Sequence, residues 1–161
     1  GYSPDNNRKQ VFFNNLIFSS IRSGKEINIA DIHEELLLDV GKTYKSLKIM
    51  DKAIECLEKI PSNHKDYYSS SVILARIYLE ENNFIEAGKY LKINKLNKKD
   101  PESLITYAAL LDAKNNFKEA LTCIDMAFNS THDYGTLKYR RNLIKRHPDA
   151  FQSDEDDLGP V

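Results

Sequence analysis

The sequence predicts an all-α chain, an α-solenoid of about three helical hairpins with a further helix at each end. Three observations predict it. Small and large apolar residues recur at a step of 34 and then 33 residues. Six Gly and five Pro in 161 residues are few for a turn-rich β-sandwich. The segments between breakers carry apolar residues three and four apart, the period of a helix buried on one side.

Residues 1–30 are read as an N-terminal helix packing on the array. Within RKQVFFNNLIFSSIR (8–22), Phe12 and Leu16 lead to Ser19 and Ser20 on one stripe, with Phe13, Ile17 and Ile21 on the next. Ser23 and Gly24 stop it, and Asn28 or Asp31 is expected to cap the helix that follows. VFFNNLIF is too short and too broken by Asn to cross a membrane.

Residues 31–130 hold the three hairpins, at about 34–61, 68–100 and 101–130. KIMDKAIECLEKI, NNFIEAGKYLKI and NNFKEALTCIDMAF align on Ala53, Ala87 and Ala120. Twelve residues before each anchor stands Gly41, Ala75 or Ala108, and nine before it Tyr44, Tyr78 or Leu111. Three before it stands Met50, Phe84 or Phe117, and four after it Leu57, Leu91 or Ile124. Small residues facing each other let two helix backbones approach, and large ones fill the space around that approach.

Residues 131–148 are read as a C-terminal capping helix, with Leu137, Arg141 and Ile144 on a shared side and Pro148 ending it. The acidic tail 149–161 is expected to be disordered. The chain opens GYSP with no initiator Met, as a piece of a longer protein would.

Composition argues against several classes of chemistry. The net charge of −1 draws the chain to neither nucleic acid nor anionic lipid. Cys56 and Cys123 form no CxxC and read as reduced, packed thiols. His33, His64, His132 and His147 are scattered and read as surface residues, so neither a metal site nor a cofactor is expected. No phosphate-cradling or nucleophile motif occurs, and Ser69, Ser70 and Ser71 read as first-turn helix residues. No catalytic residue is expected, and the chain is read as no enzyme. Two basic clusters read as solvated helix faces with acids nearby: Lys89, Lys92, Lys95, Lys98 and Lys99, then Lys138, Arg140, Arg141, Lys145 and Arg146.

The repeat residues resemble the tetratricopeptide-repeat (TPR) family over about residues 34–128, although Leu37, Ser71 and Leu104 stand where that family has Trp. The resemblance implies that the first helix of each hairpin lines a concave partner-binding surface. Carried over, its residues are Glu35, Leu38, Lys42 and Lys45, then Ser69, Val72, Arg76 and Leu79, then Glu102, Ile105, Ala109 and Asp112. An apolar floor of Leu38, Val72, Leu79 and Ile105 beside the cations implies a protein segment rich in acidic and aliphatic residues. Members that grip a chaperone's C-terminal carboxylate carry Lys and Asn where Leu38 and Lys42 stand, which disfavours that partner.

The stretch DIHEELLLDVGKTYKSLKIMDKAIECLEKI, followed by YYSSSVILARIYLEENNFIEAGKYL, resembles the second repeat block of the TPR subunit of RNA polymerase III transcription factor IIIC, as found in fungi. That likeness implies a nuclear scaffold joining other transcription-factor subunits. Outside it, the alternatives are an adaptor of another multiprotein complex, in the cell cycle or in trafficking, placed in the cytoplasm, or a helical-repeat RNA binder. The last needs a cation in every repeat, and Ala109 in the third breaks the row of Lys42 and Arg76.

Overall fold

The computed structural model describes residues 4–93 and 100–152. They form α1 (Pro4–Ser23), α2 (Glu34–Ser46), α3 (Met50–Glu58), α4 (Tyr67–Glu80), α5 (Phe84–Ile93), α6 (Pro101–Ala113), α7 (Phe117–Thr131) and α8 (Tyr134–Arg146). Short 3-10 turns lie at Ile29–Asp31 and Pro148–Ala150, and no strand occurs among the described residues. The chain divides into two compact units, Gly1–Ile77 and Tyr78–Val161. In the first, α1 packs on α2 and α2 on α3. In the second, α5 packs on α6, α6 on α7 and α7 on α8.

The repeat is written into the backbone as well as the side chains. Lys48, Asn82 and Asn115 each sit five residues before an anchor Ala, and all three have left-handed φ angles of 62°, 58° and 63°. The next N–H then reaches back to the carbonyl five residues earlier: Ile49 to Tyr44 at 2.9 Å, Asn83 to Tyr78 at 2.8 Å and Asn116 to Leu111 at 2.8 Å. This is the Schellman ending of a helix, which satisfies carbonyls the helix leaves open. Asn tolerates that conformation, whereas a left-handed Lys costs about 1–2 kcal/mol. The anchor N–H groups of Ala53, Ala87 and Ala120 open the second helices by bonding Ile49, Asn83 and Asn116 at 3.0–3.1 Å.

The aligned small residues occupy the centres of packing. Ala53, Ala75, Ala87, Ala108 and Ala120 are wholly buried. A Cβ on Gly41 would lie 2.9 Å from Leu57 Cγ and Cδ2 and 3.4 Å from Cys56 Cβ, so a close helix crossing requires glycine there. In the second unit, Ala108, Leu111, Ala120, Ile124 and Leu143 form one buried cluster, with Phe117, Leu121 and Tyr139 packed against it.

The helix boundaries correct several expectations. Asn28 caps the 3-10 turn, accepting from the Ala30 N–H at 3.1 Å, and Asp31 lies within that turn. His33 caps α2 instead, its Nδ1 accepting from the Glu35 N–H at 3.2 Å. Ser70 and Ser71 are buried and donate to the Tyr67 carbonyl at 2.8 and 2.9 Å, so neither is a surface or capping serine. On α1, Phe13 and Ile17 turn inward, while Phe12, Leu16 and Ile21 stay exposed. On α8 the buried residues are Thr136 and Leu143, and Arg141 is exposed. Phe151, placed by the sequence in the tail, packs against the second unit's cluster. Residues 153–161 of that tail, with Lys95, Lys98 and Lys99, lie outside the described residues.

Candidate functional site

In the first unit two of the four residues expected on α2, Glu35 and Leu38 but not Lys45, line a cleft that α1 walls on its other side. Its volume is about 680 Å³, and it is lined by Arg8, Lys9, Phe12 and Phe13 of α1 and by Glu35, Leu36, Leu38 and Asp39 of α2, with Lys65 and Asp66 at the rim. A smaller hollow of about 170 Å³ shares Lys9, Phe13 and Asp39 and adds Gln10 and Lys42. Helix α1 is held there by packing and by a polar tie to α2. The Gln10 amide donates to Thr43 Oγ1 at 3.1 Å, and the Thr43 hydroxyl donates to the Asp39 carbonyl at 2.8 Å.

The charges around this cleft are partly answered from within. Lys65 Nζ lies 2.7 Å from Glu35 Oε2, and His64 Nε2 lies 3.1 Å from Glu35 Oε1. The Asp66 N–H donates to His64 Nδ1 at 3.1 Å, which leaves the ring proton on Nε2, pointing at Glu35. Hydrogen bonds from Lys65 first and His64 second hold the Glu35 carboxyl below its usual range. Thus Glu35 anchors the loop before α4. Phe12 (62% exposed) and Leu36 (43% exposed) remain open to solvent at the cleft's apolar side.

The rest of the predicted set divides by burial. Leu38 and Val72 are 9% and 2% exposed, so the floor they were expected to offer is core. Lys42 and Ser69 are exposed, and Lys45, Arg76 and Leu79 are half-buried. In the second unit Glu102 is exposed and Ala109 half-buried, while Ile105 packs against the buried cluster.

Asp112 fills a structural role. Arg146 Nη2 donates to its Oδ2 at 2.6 Å, the Tyr139 hydroxyl donates to the same oxygen at 3.4 Å, and His147 Nε2 lies 3.8 Å from Oδ1. Burial, and then the Asp112 charge, push the Tyr139 phenol up to about 12. The His147 ring stacks on Phe117 with centroids 3.7 Å apart, so His147 and His64 are no surface histidines. Arg140 likewise pairs with Asp125 at 2.6 Å, and Lys89 pairs with Glu86. Two members of the C-terminal basic cluster therefore fasten α8.

Burial pushes the Cys56 thiol up to about 12, so it packs as a small apolar group with no thiolate chemistry near neutral pH. Among the described residues no group of three or more His, Cys, Asp or Glu could hold a metal ion. None of the described helices is long and apolar enough to cross a membrane.

Paired helices, small buried anchors and a repeated helix ending define a TPR-type helical-repeat fold. Among solved structures, MamA, a TPR-like helical repeat protein, is similar. MamA of AMB-1 superposes with a TM-score of 0.54 at 18% identity, covering 96% of this chain and 100% of that one. A MamA mutant gives 0.56 at 16% identity, covering 95% and 99%. MamA of MSR-1 gives 0.55 at 18%, covering 89% and 91%. No protein-family profile and no curated protein matches the sequence.

Proposed function

We propose that this chain is a protein-interaction scaffold, with no catalytic role, whose first unit takes a partner segment of acidic and aliphatic residues. The observation that carries this is the cleft between α1 and α2. Its apolar side is open at Phe12 and Leu36, its cations are Arg8 and Lys9 with Lys42 in the adjoining hollow, and its Glu35 is already paired with Lys65 and hydrogen-bonded to His64. An aliphatic side chain on the partner would bury there, with a carboxylate near Lys9 or Lys42. A narrower reading, a nuclear module of a transcription factor IIIC-like assembly serving RNA polymerase III, rests on the LLLDVG opening and the order of the first two hairpins. The alternative is an adaptor in another multiprotein complex.

The test is a pull-down from nuclear extract read by mass spectrometry, comparing the chain with a Lys42→Glu/Arg76→Glu double variant of unchanged helical circular dichroism. Recovery of polymerase III factors, lost in the variant, is the expected result. Equal recovery by both moves the contact away from these cations. Recovery of no such factor removes the transcription reading and leaves the scaffold.

A further inference from the structure

Five of the nine large hydrophobic residues that remain exposed among the described residues lie on one helix, α1: Val11, Phe12, Leu16, Phe18 and Ile21. Phe12 lines the cleft already described. Three of the others belong to a different face. Val11, Asn14, Phe18 and Ile21 follow one another at steps of three, four and three residues, the a/d spacing by which one helix seats against another. This seam runs beside the inward stripe of Phe13 and Ile17, with Ile21 lining a hollow next to Ile17 and Tyr44, and its apolar members are 55%, 45% and 57% exposed. The Asn14 side chain, in the middle of the seam, accepts a hydrogen bond from Gln10 at 3.1 Å.

We infer that this exposed flank of α1 is a second docking surface, and that its occupant is an amphipathic helix with an apolar seam and an acidic border. The charge beside the seam selects that occupant. Arg8, Asn15 and Arg22 stand seven residues apart along one border, the row flanking an a/d seam, and both arginines are exposed. The whole of α1 holds three cations, Arg8, Lys9 and Arg22, against the single acid Asp5. An antiparallel second copy would set Arg8 against Arg22 of its partner and be repelled, whereas acids about four turns apart on a foreign helix would meet both. Arg8 also lines the cleft, so it is Val11 and Phe18, which line neither the cleft nor the hollow beside it, that distinguish the two surfaces.

The experiment uses the full chain and two synthetic 21-residue helical peptides, each with Leu at every a and d position. One carries Glu at the flanking positions and the other Lys. Binding is read by fluorescence anisotropy, and the state of the free chain by light scattering. The expected result is a monomer that binds the Glu peptide at least tenfold more tightly than the Lys peptide. Val11→Asp/Phe18→Asp should abolish binding with circular dichroism unchanged, and Arg8→Glu/Arg22→Glu should reverse the preference. Equal binding of both peptides, or binding that survives the Asp substitutions, overturns the inference. A dimer of the free chain that Phe18→Asp dissolves also overturns it, because the occupant is then a second copy.

Discussion

The helices nearest the two ends of the described chain solve the same problem in opposite ways. Each packs one stripe inward on its neighbour within its own unit, Phe13 and Ile17 on α1, Thr136 and Leu143 on α8. Outside that stripe they differ. Helix α8 shows Lys138, Arg141 and Lys145 to solvent and is fastened through Arg140 to Asp125 and Arg146 to Asp112. Helix α1 leaves five large apolar side chains in water. A terminal helix that only caps a repeat array is polar outside. By that criterion the outside of α8 is the more cap-like of the two.

The largest expected effect would break or confirm this contrast directly. Leu143→Ala should cost about 2–5 kcal/mol in a urea melt, because Leu143 is wholly buried in the second unit's cluster. Phe18→Ser at the other end should change stability by about 0.5 kcal/mol or less while improving solubility. A Phe18 effect as large as that of Leu143 would mean that the exposed flank of α1 is already part of a core.

A smaller effect compares the turns of the two units. The second unit turns on Asn82 and Asn115, the first on Lys48, in the same left-handed conformation. Lys48→Gly should therefore stabilise the chain by about 1 kcal/mol, measured by the same melt. Asn115→Gly should gain less, since Asn already tolerates the conformation.

A further effect appears only at high pH. The folded-state value of Tyr139 is raised to about 12, above the usual value of 10 for a free phenol. The folded protein therefore holds that proton more tightly. Its contribution is complete below pH 10 and is lost as pH rises from 10 towards 12. The difference in stability between the parent chain and Tyr139→Phe should be constant below pH 10 and shift against the parent chain above it. A constant difference across that range would remove Tyr139 from the fastening of α8.

The sequence made the fold legible because the repeat depends on residue size, and size shows in the letters. Gly41, Ala53, Ala75, Ala87, Ala108 and Ala120 are all buried at the positions their spacing requires. Proline at position 101 opens α6, with Asp100 capping it through the Ser103 N–H at 3.1 Å. The candidate site was less legible because it depends on direction and pairing. Nothing in the local pattern says that Asp112 faces Arg146, or that Glu35 faces Lys65 and His64, since both sets join residues about 30 positions apart. The wall that α1 gives the cleft was hidden for a related reason. Its apolar residues surround much of the helix, so periodicity alone did not say which stripe turns inward. The two Asn at turn positions 82 and 115 were a readable signal of left-handed turns, whereas Lys48 in the same place concealed the first.

The shared helix ending has a consequence for how such a chain changes over generations. Each step of about 34 residues brings its own left-handed turn, its own return hydrogen bond and its own anchor alanine. A stretch of gene encoding one step can be copied or lost without rewriting the turn of the step beside it. Repeat number is then the easily varied character of such an array, because each step carries its own means of turning.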